Sequence, residues 1–110
     1  MDIYVDIDNT VCYTKGTDYT QSEPITENIE RVNKLYEAGH HIVYWTARGM
    51  KSGLNWRELT EQQLKQWGAK YHELRLDKPP YDIFIDDKTI NTFDWEQGQW
   101  TEKFKERRKS

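Results

Sequence analysis

Hydrophobic residues along this chain fall into short runs separated by polar stretches, and the runs are of two kinds. Ile3–Ile7, His41–Trp45, Tyr71–Leu76 and Asp82–Ile85 are brief and rich in β-branched and aromatic residues, which predicts strands. Ile29, Val32, Leu35 and Tyr36 recur instead at helical spacing, as do Trp56, Leu59, Leu64 and Trp67. The first helix is expected to be capped by Thr26 and stopped by Gly39. The second is expected over Leu54–Trp67, with Gly68 as its terminator. Residues 9–25 and 46–53 carry turn chemistry and read as loops, the first long enough to be a lid or a functional loop. "DKPP" at 77–80 cannot lie inside a strand or a helix. Residues 90–109 read as a turn or short helix followed by a helical tail.

The order strand, helix, strand, helix, strand, strand, with nearly continuous apolar strands, predicts an α/β fold: a parallel sheet with helices on both faces. In such sheets sites gather at the carboxyl ends of the strands. Asp6 and Asp8 follow the first strand, Thr46 and Arg48 the second, and Asp86 and Asp87 the fourth, with Lys78 just before it.

At 110 residues the chain has room for one compact domain and one core. A net charge of −3 gives an ordinary surface and disfavours an obligate nucleic-acid binder. Only Lys103–Lys109 is locally basic, which fits a solvated helical tail. A single cysteine, Cys12, excludes an internal disulfide. No run of about 20 apolar residues spans a membrane. Acids interrupt the only apolar run near the start, so nothing there reads as a signal peptide, and a cytoplasmic protein fits best.

Two carboxylates one residue apart at a strand end repel unless something offsets their charge. Asp6 and Asp8 can share a metal, do paired acid–base work, or end a solvated loop. Oxygen ligands without His or Cys suit Mg²⁺ rather than Zn²⁺. Lys78 and Arg48 are surplus to a metal but fit a phosphoryl group, with Thr46 as a hydroxyl donor. The set therefore points to phosphoryl transfer on Mg²⁺. A carboxylate beside the metal can attack phosphorus, and a second one two residues on can protonate the leaving oxygen and later activate water.

"DIDNT" (Asp6–Thr10), Thr46 in "WTAR", Lys78 in "LDKPP", and Asp86 and Asp87 in "FIDD" resemble, in order, the four motifs of the haloacid dehalogenase superfamily. They span most of the chain. The resemblance implies a three-layer Rossmann-like fold and Mg²⁺-dependent phosphatase chemistry. It makes Asp6 the nucleophile and Asp8 the general acid/base. Thr46 and Lys78 bind the phosphoryl group, with Arg48 a candidate phosphate or sugar contact. Mg²⁺ is held by Asp6, the backbone carbonyl of Asp8, and Asp86, with Asp87 in or beside that shell, and Thr10 braces the loop. "LDKPPYDIFIDDKTIN" and the small size resemble the capsule-biosynthesis phosphatase group, which implies a small phosphorylated substrate of surface-polysaccharide synthesis. Residues 11–25 and 47–53 are too short for a cap domain. Two other readings stay open. "WTAR" also resembles polynucleotide end-phosphatases, and the motifs could belong to a non-catalytic module that binds phosphate or a partner.

Other residues have plainer readings. Cys12 is a small packed residue, since no His forms an evident dyad with it. His40 and His41 point to opposite faces at a strand's start and are structural. Trp45 and Trp67 are expected in the core. Tyr13, Tyr19 and Met50 lie in the loops above the site and could touch substrate. Trp95, Trp100 and Phe104 form an aromatic stripe in the tail, residues 94–110, that can pack on the chain's own body or on a second subunit of a homo-oligomer.

Overall fold

A computed structural model describes residues 1–98 of the chain. These fall into two units, Met1–Pro80 and a second that begins at Tyr81, where the sequence predicts one. Trp100, Phe104 and the basic stretch 103–109 lie outside the described residues.

The first unit opens with β1 (Asp2–Val5). The strand stops short of the expected Ile7 because the chain turns there. The Asp6 carboxylate accepts the Ile7 N–H at 2.9 Å. The Ile7 carbonyl then accepts from Thr10 and Val11 at 3.1 and 2.9 Å. Asn9, with φ 63°, supplies the left-handed residue that this turn needs. The expected loop over 9–25 is a small ribbon. β2 (Cys12–Tyr13) pairs antiparallel with β3 (Glu23–Pro24), and a 3₁₀ turn spans Tyr19–Gln21.

Helix α1 (Thr26–Glu37) follows. Thr26 is its first helical residue rather than its cap. Ile25 holds the cap position, without a side-chain acceptor, and its carbonyl receives Asn28 and Ile29 at 3.0 and 3.1 Å. β4 (His41–Trp45) matches the expected strand. Helix α2 (Arg57–Gln66) lies inside the expected 54–67 and β5 (Glu73–Arg75) inside the expected 71–76.

The sheet is parallel in the order β1–β4–β5, with Val5 beside Tyr44 and Tyr44 beside Leu74. Spatial order follows chain order, so right-handed crossovers put α1 and α2 on the same face. Side-chain contacts agree. Asn33 of α1 bonds the Gly68 carbonyl and the Lys70 N–H just past α2. The expected second helical layer is therefore missing from the first unit. One face, with Val5, Ile42, Tyr44 and Leu74, is closed; the other carries half-exposed Tyr4 edge-on to Trp45. Ile7, Val11, Ile29, Val32 and Leu64 complete the core. Trp45 and Trp67, expected in the core, are only partly covered. Among the described residues the buried Tyr44 hydroxyl finds no hydrogen-bond partner, and burial raises its pKa strongly.

In the second unit, the expected strand Asp82–Ile85 is not formed: Ile83 and Ile85 are 79% and 92% exposed. An apolar segment becomes a strand only where a sheet edge pairs with it. The regular element described in its own unit, α3 (Thr92–Glu96), offers none. Among the described residues no helix is long and apolar enough to cross a membrane.

Candidate active site

Parallel pairing in register brings the ends of β1, β4 and β5 to one sheet edge, and the polar residues that follow them meet there. The Thr46 N–H donates to the Arg75 carbonyl at 2.9 Å, and the Lys78 N–H donates to the Thr46 carbonyl at 3.2 Å. These bonds continue the ladder past the strands and fix the backbone of both residues. The Lys78 ammonium lies 3.4 Å from an Asp6 oxygen and 5.9 Å from the centre of the Trp45 ring. Trp45 is held in turn by its indole N–H on Asp77 at 2.9 Å. Lys78 thus meets Asp6 through its side chain and buried Thr46 through the backbone, which brings three separate strand ends together.

The Asp6 carboxyl sits above its ordinary value of 3.8. Burial is the main cause, and the attraction of Lys78 and the Ile7 N–H only partly offset it. Asp6 is therefore a carboxylate short of positive charge. The Thr46 hydroxyl oxygen accepts the Arg48 N–H at 3.2 Å. That turn leaves the hydroxyl's own hydrogen to donate elsewhere.

Asp8 is held differently. Arg48 Nε and Nη2 grip its two oxygens at 3.0 and 2.8 Å, a bidentate fork. The Thr14 hydroxyl donates to the same carboxylate at 2.6 Å. Arg48 Nη1 donates to Thr60 at 3.0 Å and to Gln63 at 2.6 Å, and Nη2 also reaches Ser22 at 3.4 Å. Its carbon centre lies 4.7 Å from the middle of the Tyr19 ring. The Arg48 side chain is fully buried. All five of its N–H donors face protein acceptors, so it has none left for a phosphate oxygen. The expected phosphate contact is instead a buried clamp on Asp8.

Of the residues that complete this clamp, the sequence singled out Tyr19 alone, and as a possible substrate contact. Thr14, Tyr19 and Ser22 come from the β2–β3 ribbon, and Thr60 and Gln63 from the buried face of α2. No spacing links the two segments. The only signal was local: Thr60 and Gln63 fall beside Leu59 and Leu64 in the apolar stripe of the second helix. Gln63 also donates to the Tyr19 carbonyl at 2.6 Å, and so ties ribbon to helix. A groove lined by Ser22, Gln63, Leu59 and Trp67 borders this cluster; neither Asp6 nor Lys78 lines it.

Asp86 and Asp87 lie in the second unit, both exposed, in a turn where the Asp86 carboxylate accepts the Asp87 N–H at 2.8 Å. Among the described residues no group of three or more His, Cys, Asp or Glu side chains stands ready to hold a metal ion. Of the two strand-end acids, Asp8 is taken up by Arg48, while Asp6 faces the Lys78 ammonium.

Thr10 braces the loop through its backbone: its carbonyl accepts the buried Asn28 amide at 2.8 Å. Cys12 is buried, as expected, and burial pushes its thiol up. His40 contacts the chain's amino terminus, and His41 stacks on His72; both are structural. Of the loop residues, Tyr19 packs on Arg48, while Tyr13 and Met50 are exposed.

The crystal structure of an MCSG target from Vibrio cholerae superposes with a TM-score of 0.83 at 21% identity, over 99% of this chain and 98% of that one. That likeness establishes a shared fold. No protein-family model and no curated protein matches the chain.

Proposed function

We propose that this protein is a phosphomonoesterase of the haloacid dehalogenase type, acting on a small phosphorylated metabolite such as a sugar phosphate of surface-polysaccharide synthesis. The observation that carries the reading is the meeting of Asp6, Thr46 and Lys78 at the carboxyl edge of a parallel sheet, with Lys78 3.4 Å from Asp6. A half-buried carboxylate with one ammonium beside it, at a strand end, suits an incoming phosphoryl group better than a structural ion pair.

In this reading an Asp6 oxygen attacks phosphorus, and the bond from phosphorus to the substrate alcohol breaks. Asp8 supplies the departing oxygen's proton, which requires it first to take up a proton and turn one oxygen off the Arg48 fork. It then takes a proton from the water that cleaves the Asp6 acyl phosphate, which returns Asp6 and releases phosphate. Lys78 and the Thr46 hydroxyl steady the phosphoryl oxygens. Arg48 fixes the direction in which Asp8 faces.

The oxygen-only donor set and the positive charge that Asp6 lacks both suit Mg²⁺. By the resemblance, Asp6, the Asp8 carbonyl, Asp86 and Asp87 are the residues that would hold it. Bound there, it would neutralise charge on the phosphoryl oxygens.

The test is phosphate release from a panel of phosphorylated metabolites, with Mg²⁺ and with chelator, for wild type and Asp6→Asn. Release that needs Mg²⁺ and falls by at least about 10³-fold in Asp6→Asn is the expected result. A variant that stays active removes Asp6 as nucleophile. Binding without turnover points to a non-catalytic module. Preference for oligonucleotide 3′-phosphates moves the protein to the polynucleotide branch.

A further inference from the structure

β1 is an edge of the sheet among the described residues, and one of its sides has no strand partner. An open edge of this kind is a template for another strand. The chain also carries a strand-like segment with no sheet, "YDIFI" at 81–85, whose Ile83 and Ile85 side chains are almost fully exposed. Set parallel to β1 with Ile85 beside Val5, this segment delivers Asp86 beside Asp6. That register rests on the function proposed above, which gives Asp6 and Asp86 a common metal ion.

The segment of the same chain cannot reach that place. Lys78 is pinned at the carboxyl edge by its bond to the Thr46 carbonyl. By the strand register Thr46 is level with Ile7. Ile85 beside Val5 requires Asp82 beside Asp2, five residues lower, or about 16 Å at roughly 3.3 Å per residue. The new strand must also lie beyond β1, two strand spacings from β4, or about 10 Å sideways. The gap from Lys78 to Asp82 is then about 19 Å, whereas four fully extended residues cover only about 14 Å. Pro79 and Pro80 stiffen the link.

We infer that the segment 81–85 of one copy completes the sheet of a second copy, so that each active site combines Asp6, Thr46 and Lys78 of one chain with Asp86 of the other. Two copies that exchange segments reciprocally close as a twofold dimer and cover the β1 edge of each.

The direct test places single cysteines at Tyr4 and Phe84, neighbours across the proposed pair, in a Cys12→Ser background, and adds a short bismaleimide. A covalent dimer is expected. An internal link within a monomer, or a wild-type protein that is monomeric by light scattering at micromolar concentration, overturns the proposal. Ile83→Asp with Ile85→Asp should convert the native dimer to folded monomer; a dimer that persists overturns it as well. Activity gives a second arm. Asp6→Asn and Asp86→Asn proteins, each inactive, are unfolded and refolded together. Exchange leaves one intact site in each mixed dimer and restores about a quarter of wild-type turnover. Sites built within one chain restore none. If wild type itself lacks phosphatase activity, the functional reading fails, while the cross-link still decides the exchange.

Discussion

Arg48→Lys keeps the charge of the buried clamp but loses its planar fork, so one ammonium must replace five directed donors. Arg48→Met removes the charge and leaves the Asp8 carboxylate, 21% exposed, without its partner. Breaking a buried pair from one side costs about 3–5 kcal/mol. Part of that is screened here, so a loss of about 2–3 kcal/mol in urea unfolding is expected for Arg48→Met. Turnover should fall in both variants, with kcat affected more than KM, because Arg48 has no donor left for substrate. A rise confined to KM would restore the phosphate-contact reading. Asp6 behaves in the opposite sense. Burial raises its carboxyl above 3.8 in the folded protein, so ionising it costs stability. Below 3.8 it is protonated whether folded or not, and the penalty is absent. The penalty grows as pH rises from there and is complete above the raised folded value. Metal-free Asp6→Asn should therefore melt higher than wild type at pH 7, with the advantage gone near about pH 3. A variant that melts lower at pH 7 would mean that the Lys78 attraction outweighs burial. Asp6, Asp8, Thr46 and Lys78 could be picked out by type and place, because each follows or adjoins a strand end. The role of Arg48 could not. Whether an arginine faces a ligand or the core depends on which acceptors surround it, and those come from distant segments.

The segment that turns Arg48 inward depends on Gly49. Its φ is 85°, and a Cβ there would stand 2.2 Å from the Leu54 carbonyl oxygen. Gly49→Ala must shift backbone rather than a flexible side chain. Gly53, with φ 74° and open space around it, is the control. Gly53→Ala should cost about 1 kcal/mol from backbone strain alone, and Gly49→Ala about 2–3 kcal/mol more, read as the difference in urea midpoint. Equal losses would mean that the 49–54 turn yields freely. Elements with a strong periodic pattern were legible in the sequence: β4 falls on the expected residues, and α2 and β5 lie within the expected ones. The β2–β3 ribbon was not, because two-residue strands have no period to read. The segment 82–85 has the right composition for a strand and forms none, since composition records a preference for a sheet but not whether an edge is at hand.

For the molecule as a whole, the parallel sheet was legible in the alternation of strands and helices. Helices on both faces were not borne out within the first unit, because three strands laid down in chain order place their crossovers together. Segment exchange would make stability depend on protein concentration. The melting temperature of wild type should rise by a few degrees for each hundredfold increase in concentration, roughly what about 2.7 kcal/mol of mass action supports. That of Ile83→Asp with Ile85→Asp should stay flat. A flat wild-type profile would leave each copy to fold alone. The Arg48 clamp carries a different kind of consequence, for descent. Surface loops ordinarily drift fastest among related proteins. Here the ribbon lends Thr14 to Asp8, and Tyr19 and Ser22 to the buried Arg48 that also holds Thr60 and Gln63. Five positions in two segments must change together or hardly at all. New substrate preferences should arise instead at the exposed tip, Lys15 to Asp18, where a substitution disturbs none of the clamp's bonds.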